Sequence, residues 1–168
     1  MSDKLTKYGK FMYKFTERGI KFLAKHQWLY YLLNCSWGLF LTVVGLLITL
    51  FMLLTGKKPT KYYEIYYFKI GKDWGGFETG LMFIRDENSS EVLNAHELGH
   101  TYQNAIFGPF QIFLITIPSF VRYWYREIRF TRKNIKPTTL YDDIWFESSA
   151  SNHGLLVLDI KNKNRKEK

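Results

Sequence analysis

Two histidines and a glutamate have the spacing of a zinc-binding helix, since His96, Glu97 and His100 form the pattern H-E-x-x-H. Residues four apart on an α-helix lie on the same face, so both imidazoles can present a nitrogen to one ion. The glutamate lies beside such an ion, where it can accept a proton from an activated water. The chain has only four histidines, which makes this pairing informative. The pattern predicts a zinc-dependent hydrolase.

A catalytic zinc ion usually takes three protein ligands and leaves a fourth position for water, so one more ligand must lie downstream. Glu147 is the best candidate because it lies on a predicted helix. His153 is the second candidate, and at the end of that helix it would alternatively be favoured by the helix dipole. Asp142 and Asp143 come next, although both are typical of a helix start.

The runs HELGHTYQNAIFGP and WFESSASNHG resemble the gluzincin type of zinc metallopeptidase, and within it the small membrane-associated members. In that group, H-E-x-x-H on one helix is completed by a glutamate on a later helix. The resemblance covers residues 94–154. It implies zinc as the cofactor, with Glu97 as the general base and with three metal ligands, His96, His100 and Glu147.

One position departs from that family's pattern. Gluzincins often carry an aspartate four residues after the glutamate ligand, and this chain has Ser151 there. A hydroxyl can still hydrogen-bond a ligand imidazole, although a carboxylate would raise the basicity of the ligand more. A tetrahedral oxyanion also needs a donor besides the metal, and the candidates are Tyr102, Tyr141 and His153. In zincins generally a strand edge beside the active-site helix pairs with extended substrate, and residues 77–85 are predicted to supply it.

The charge distribution indicates a lipid bilayer as a partner. The formal net charge is +9, and basic clusters flank the apolar segments, which is typical of contact with anionic headgroups. No recognisable nucleic-acid-binding module accompanies this charge, so nucleic acid is not predicted as a partner. Residues 28–54 contain no charged side chain. As one helix of about 40 Å they would cross the roughly 30 Å hydrocarbon core, so we expect an integral membrane protein with a single transmembrane anchor.

The chain has the size of one domain and is predicted to be mainly α with a small β-hairpin or sheet (α+β). Aromatic-rich runs separated by glycines predict two strands, 62–71 and 77–85. Helices are predicted at 91–107, ending at Gly108-Pro109, and at 141–153, ending at Gly154, with a loop at 134–139 between them. The predicted organisation is an amphipathic segment 1–27, a transmembrane helix 28–54, a zincin-like domain 55–160 and a basic tail 161–168.

A second apolar stretch, residues 105–121, must be compatible with a single metal site. If His100 and Glu147 meet at one ion, they lie on the same side of a membrane. A single crossing by residues 105–121 would separate them. We therefore expect this stretch to re-enter the membrane or to lie along its interface.

The predicted function is a membrane-anchored zinc metallopeptidase that acts on peptides or membrane proteins. One alternative is a zinc hydrolase that cleaves lipids or other non-peptide amides and esters. Another is a catalytically inactive membrane protein with an interaction role. The intact Glu97 favours an enzyme, because an inactive relic would be expected to lose that carboxylate first. The sequence carries no signal for the oligomeric state.

Overall fold

The computed structural model describes residues 6–133, 135, 141 and 143–166. Six α-helices lie within these ranges: α1 Lys7–Lys25, α2 Gln27–Cys35, α3 Leu39–Leu54, α4 Glu91–Phe107, α5 Ile117–Arg126 and α6 Trp145–Lys166. Four strands form one sheet: β1 Thr60–Tyr62, β2 Ile65–Lys69, β3 Gly76–Glu78 and β4 Met82–Arg85. The prediction of a mainly α protein with a small sheet is confirmed, and so are the predicted bounds of α4.

The centre of the fold is the crossing of α4 and α6, which bring their backbones into direct contact. A Cβ atom added to Gly99 would lie 2.1 Å from the carbonyl oxygen of Ala150, and one added to Gly154 would lie 1.7 Å from that of Ala95. Glycine is therefore required at both positions. The crossing places the first turns of α6 against the middle of α4.

The N-terminal helices pack against this pair. Ile20 and Leu23 of α1 and Tyr30 of α2 belong to the same hydrophobic core as Leu98 of α4 and Val157 of α6. Within the predicted amphipathic segment 1–27, helix α1 at Lys7–Lys25 therefore has an inner face that is buried in the protein. Its outer face carries exposed aromatic side chains, Tyr8, Phe11, Phe15 and Phe22.

The prediction of one continuous helix over residues 28–54 is wrong, because the chain breaks between α2 and α3 with a bend of 85°. The break is stabilised by α4: Asn104 Nδ2 donates to Asn34 Oδ1 at 2.8 Å and to the Gly38 carbonyl at 3.2 Å. Thr42 Oγ1 also donates to the Asn34 carbonyl at 2.8 Å. Among the described residues, no single helix is both long enough and apolar enough to cross a membrane.

Each of the two predicted strands is divided by a turn, so the structure has four strands instead of two. The first run turns at Tyr63, which has a φ of 51°, and the second turns at Gly80, which has a φ of 75°. The sheet order is β1-β2-β4-β3, with β2 parallel to β4 and the other two pairs antiparallel. The edge strand next to the helix with the H-E-x-x-H pattern is thus β3, which packs against α4 and is much shorter than the predicted 77–85 strand.

The predicted bounds of the last helix are wrong at both ends. Helix α6 begins at Trp145 rather than Tyr141, and it continues through Gly154 to Lys166, into the predicted basic tail. Gly154 does not end the helix because its missing side chain makes room for α4. Most of the predicted loop 134–139 lies outside the described residues.

The second apolar stretch turns back after α4. Gly108, with a φ of 54°, ends α4, and residues 91–110 and 112–130 meet at a bend of 116°. The π-helical turn Ile112–Thr116 then leads into α5, and a second one, Glu127–Arg132, follows α5. We call residues 112–126 the arm. No residue of α5 is buried.

Replacing Gly99 or Gly154 with alanine is expected to destabilise the protein by about 3 kcal/mol, because the added methyl group forces two helix backbones apart. Thermal or chemical unfolding in a mild detergent measures this change. Gly19→Ala in α1 is the matched control, since its Cβ would meet only the flexible end of Ile106, at 2.9 Å. An equal loss of stability in all three variants would contradict the backbone contact.

Candidate metal centre

Three side chains converge between α4 and α6. His96 Nε2 and His100 Nε2 lie 3.2 and 3.4 Å from Glu147 Oε2, and 3.1 Å from each other. Ligand atoms about 2.1 Å from a tetrahedral zinc ion lie roughly 3.4 Å apart. The three distances are therefore close to the edges of such a tetrahedron. Among the described residues, this is the group of acidic, histidine and cysteine side chains with the geometry to bind a metal ion.

The other imidazole nitrogens are oriented by hydrogen bonds. Gln103 Nε2 donates to the Phe146 carbonyl at 2.9 Å, so its Oε1 faces His100 Nδ1, at 2.7 Å. His100 Nδ1 must then carry the proton, which leaves a lone pair on Nε2 of the neutral ring. His96 Nδ1 lies 2.8 Å from Ser151 Oγ. Ser151, four residues after Glu147, thus contacts an imidazole of the converging group.

Glu147 is fully buried, and its two oxygens have different surroundings. Ser119 Oγ donates to Oε1 at 2.5 Å, whereas Oε2 faces the two histidines without a hydrogen bond of good geometry. Burial by itself would raise the pKa of Glu147, but the adjacent imidazoles of His100 and His96 lower it well below the usual range. Burial lowers the pKa of His100, and the interaction with Glu147 outweighs this and raises it. The carboxylate therefore stays charged, as a metal ligand must.

Glu97 is buried on the same face of α4, beneath the edge of the sheet. A Cβ on Gly76 of β3 would lie 2.5 Å from Glu97 Oε1, so only glycine lets the strand lie this close. Burial raises the pKa of Glu97 to about 8, against the attraction of His100, and the Glu78 and Glu147 carboxylates add to the rise. In the metal-free site this carboxylate has the proton affinity of a base that works near neutral pH.

These groups lie in a cleft of about 460 Å³ between the sheet edge and the arm. One wall is formed by Trp74 and by residues 76–78. The opposite wall is formed by the arm and by Tyr141. Phe120 and Trp124 line the cleft and are also partly exposed on the surface of the arm. A substrate of several residues fits a cleft of this size.

The sequence predicts four residues that assist the metal ligands: Ser151 as a partner of an imidazole, and Tyr102, Tyr141 and His153 as candidate oxyanion donors. Two of them lie at the site and two do not. Ser151 contacts His96, and Tyr141 lines the cleft with its ring 6.5 Å from the His96 ring. Tyr102 lies elsewhere on α4, where it stacks on Tyr30 and its hydroxyl donates to the Glu64 carboxylate. Of the alternative third ligands, Asp143 is outside the converging group, and Asp142 lies outside the described residues.

His153 is not at the end of a helix, because α6 continues for three more turns. It is 1% exposed and packs against α1, with its ring 4.4 Å from the Tyr13 ring. Thr16 Oγ1 donates to backbone carbonyls and lies 3.0 Å from Ser149 Oγ, so the Ser149 hydroxyl proton points to Thr16. His153 Nδ1 then donates to Ser149 at 2.8 Å, and its Nε2 is buried without a partner.

Several residues at the site are missing from the sequence prediction. Gln111 is a polar residue in an apolar run and Glu78 is a carboxylate within an aromatic-rich run, whereas Gln103 lies among other polar residues. Burial raises the pKa of Glu78 to about 7, although His100, Gly80 and Gln111 oppose the rise. A polar residue in an apolar run is therefore a sequence feature that can indicate a residue of the site, because a buried polar group needs a partner. Ser119 carries no such signal.

Comparison with protein-family models, with curated proteins and with solved structures finds no match to this chain.

Lowering the pH is expected to destabilise the protein through His153. Burial lowers the pKa of His153 from 6.5 to about 4, against the attraction of Glu17, and Lys21 lowers it further. The unfolded chain therefore binds this proton first, and stability falls between pH 6.5 and 4 by about 3 kcal/mol. Unfolding curves of the wild type and of His153→Gln across this range measure the effect. Equal pH dependence in the two proteins would contradict it.

Proposed function

We propose that this protein is a membrane-associated, zinc-dependent metallopeptidase with a zincin-like core. The observation that carries the proposal is the convergence of His96, His100 and Glu147 beside a buried Glu97. The donor set of two imidazoles and one carboxylate is typical of catalytic zinc. The fit is supported by the spacing of the ligand atoms, by the lone pair on His100 Nε2, and by a Glu147 oxygen that otherwise lacks a hydrogen bond.

The proposed chemistry assigns one role to each group. When bound, zinc supplies the Lewis acidity that polarises a scissile carbonyl and makes water acidic enough to be deprotonated near neutral pH. Glu97 accepts that proton and returns it to the leaving amine. Of the three candidate oxyanion donors, Tyr141 is the one that lines the cleft, and burial raises the pKa of its hydroxyl, so it keeps its proton to donate. Ser151 and Gln103 orient the imidazoles.

The edge strand supports a peptide as the substrate. The two residues that flank β3 are hydrogen-bonded toward β4. The Gly75 carbonyl accepts from the Asp86 N–H, and the Thr79 N–H donates to the Met82 carbonyl. Because pairing alternates along an antiparallel ladder, the backbone groups of Gly76 and Glu78 point away from β4. Both residues line the cleft. An extended peptide can therefore add to this edge above Glu97, as in other strand-addition complexes.

This edge also favours a peptide over the alternative substrate, a lipid ester or amide. The catalytic groups would serve both substrates. A lipid chain, however, has no row of amide groups to pair with the outward backbone of β3.

The exposed apolar surface supports association with a bilayer. Helix α3 exposes large apolar side chains along its length, including Phe40, Leu47, Leu50 and Phe51. The arm also exposes large apolar side chains, namely Phe113, Ile117, Phe120 and Val121. Monomeric soluble proteins rarely expose apolar patches of this extent. Arginines lie at 122 and 126 on the arm and at 129 just after it, where their charges can reach anionic headgroups. We propose that α3 and the arm insert into a bilayer surface.

Glu147→Gln is expected to abolish stoichiometric zinc binding, because an amide oxygen is a weak ligand and carries no charge to balance the ion. Metal analysis by mass spectrometry of protein purified without chelators should give one zinc per wild-type chain and close to none in the variant. His153→Gln is the matched control and should keep its zinc, since that residue lies against α1. A wild type that binds no zinc would refute the proposal.

Glu97→Gln is expected to lower peptide hydrolysis by roughly 10²- to 10⁴-fold while zinc content is unchanged, because only the proton acceptor is lost. Mass-spectrometric detection of cleavage in a diverse peptide library measures the activity. Glu91→Gln, an exposed position at the start of the same helix, is the control. Cleavage that is equal in all three proteins would mean that Glu97 is not the base.

A further inference from the structure

The arm lies over the site. Ile115, in the turn before α5, is buried in a small hydrophobic cluster with Phe107 and Trp145, and the rest of the arm is less deeply packed. Helix α5 buries none of its residues, and Pro118 and Ser119 are only half-buried. Its described contacts with the rest of the chain include hydrogen bonds from the Arg122 guanidinium to the Tyr141 carbonyl, at 2.9 and 3.2 Å. A helix with this little burial has a low local free energy of opening.

One contact of the arm reaches the metal centre itself. Ser119 Oγ lies 2.5 Å from Glu147 Oε1 and 3.3 Å from the Tyr141 hydroxyl. The carboxylate can only accept, so the serine proton goes to Glu147, and the Tyr141 hydroxyl donates to Ser119. The two donations run in series, from Tyr141 to Ser119 and from Ser119 to Glu147. They occupy Oε1 and leave Oε2 for the two histidines.

We propose that Ser119 is a positioning residue that orients the metal ligand Glu147, so that metal binding and docking of the arm stabilise each other. The inference rests on the proposed zinc site and assigns it a further element, one that sequence spacing does not reveal. A hydrogen bond to a ligand carboxylate fixes which oxygen faces the ion. When the arm lifts, Oε1 loses this donor and the carboxylate is free to rotate.

The coupling must be reciprocal, because two linked equilibria share one coupling free energy. If docking of the arm raises zinc affinity by some factor, zinc raises the docking equilibrium by the same factor. Groups that support a metal ligand in this way typically change metal affinity by about 10- to 100-fold. The arm thus acts as a cover that closes over the occupied site.

Zinc affinity tests the first half of the proposal. Titration of the full-length protein in nonionic detergent with Zn²⁺, against a competing fluorescent chelator, should show affinity lowered at least about 10-fold in Ser119→Ala. Ser119→Thr keeps the hydroxyl and should restore most of the affinity. Tyr125→Phe is the matched control, because it removes an exposed hydroxyl of the same helix that lies outside the cleft, and it should match the wild type.

Limited trypsin digestion tests the second half. Zinc should slow cleavage after Arg126 and Arg129 in the wild type and in Ser119→Thr by the factor found in the titration. It should give no protection in Ser119→Ala, which should also be cleaved faster than the wild type when zinc is chelated. Cleavage after Lys57, exposed at the far end of α3, is the internal control for the protease.

The outcomes separate the two proposals. Wild-type zinc affinity and protection in Ser119→Ala would overturn the role of Ser119 and leave the metallopeptidase proposal intact. An absence of zinc binding in the wild type would overturn both. Lower zinc affinity in Ser119→Ala that Ser119→Thr does not restore would also overturn the inference, because it would reflect general disruption of the arm.

Discussion

The candidate metal centre depends on the direct backbone contact between α4 and α6. Gly99 and Gly154 remove the side chains that would keep the two helices apart, so each backbone lies against an alanine carbonyl of the other. Only at this separation does a carboxylate on the first turn of α6 reach two imidazoles on α4. The glycine within H-E-x-x-H is thus a packing requirement as much as a feature of the motif.

The same contact concentrates negative charge in a buried space. Glu97 and Glu147 are both buried beside the cleft, with Glu78 close enough to raise the pKa of Glu97. Burial of several carboxylates without compensation is costly. Ser119 donates to one oxygen of Glu147 and the two adjacent imidazoles lower the pKa of this carboxyl, whereas the pKa of Glu97 rises. One carboxylate that stays charged next to one that binds a proton is the arrangement expected for a metal ligand beside a general base.

The walls of the cleft differ in what they can bind. On one side the edge of β3 presents backbone groups beside Glu97, which is suited to an extended chain. On the other side the arm presents Phe120 and Trp124 both to the cleft and to the surface. A peptide bound at the strand edge would therefore lie beside the apolar surface that we assign to the bilayer. This geometry is consistent with substrates that are themselves close to a membrane.

The sequence by itself determined the features that depend on neighbouring residues. The histidine pair, the limits of α4 and the α+β class follow from periodicity and spacing, and Glu147 follows from position within a predicted helix. Tertiary structure decided the rest. The break before α3 depends on Asn104, and α6 continues past Gly154 because α4 occupies the space of its side chain. Ser119 reaches Glu147 only because the chain turns back after α4. Each of these contacts joins residues far apart in sequence, and no local pattern encodes such a distance.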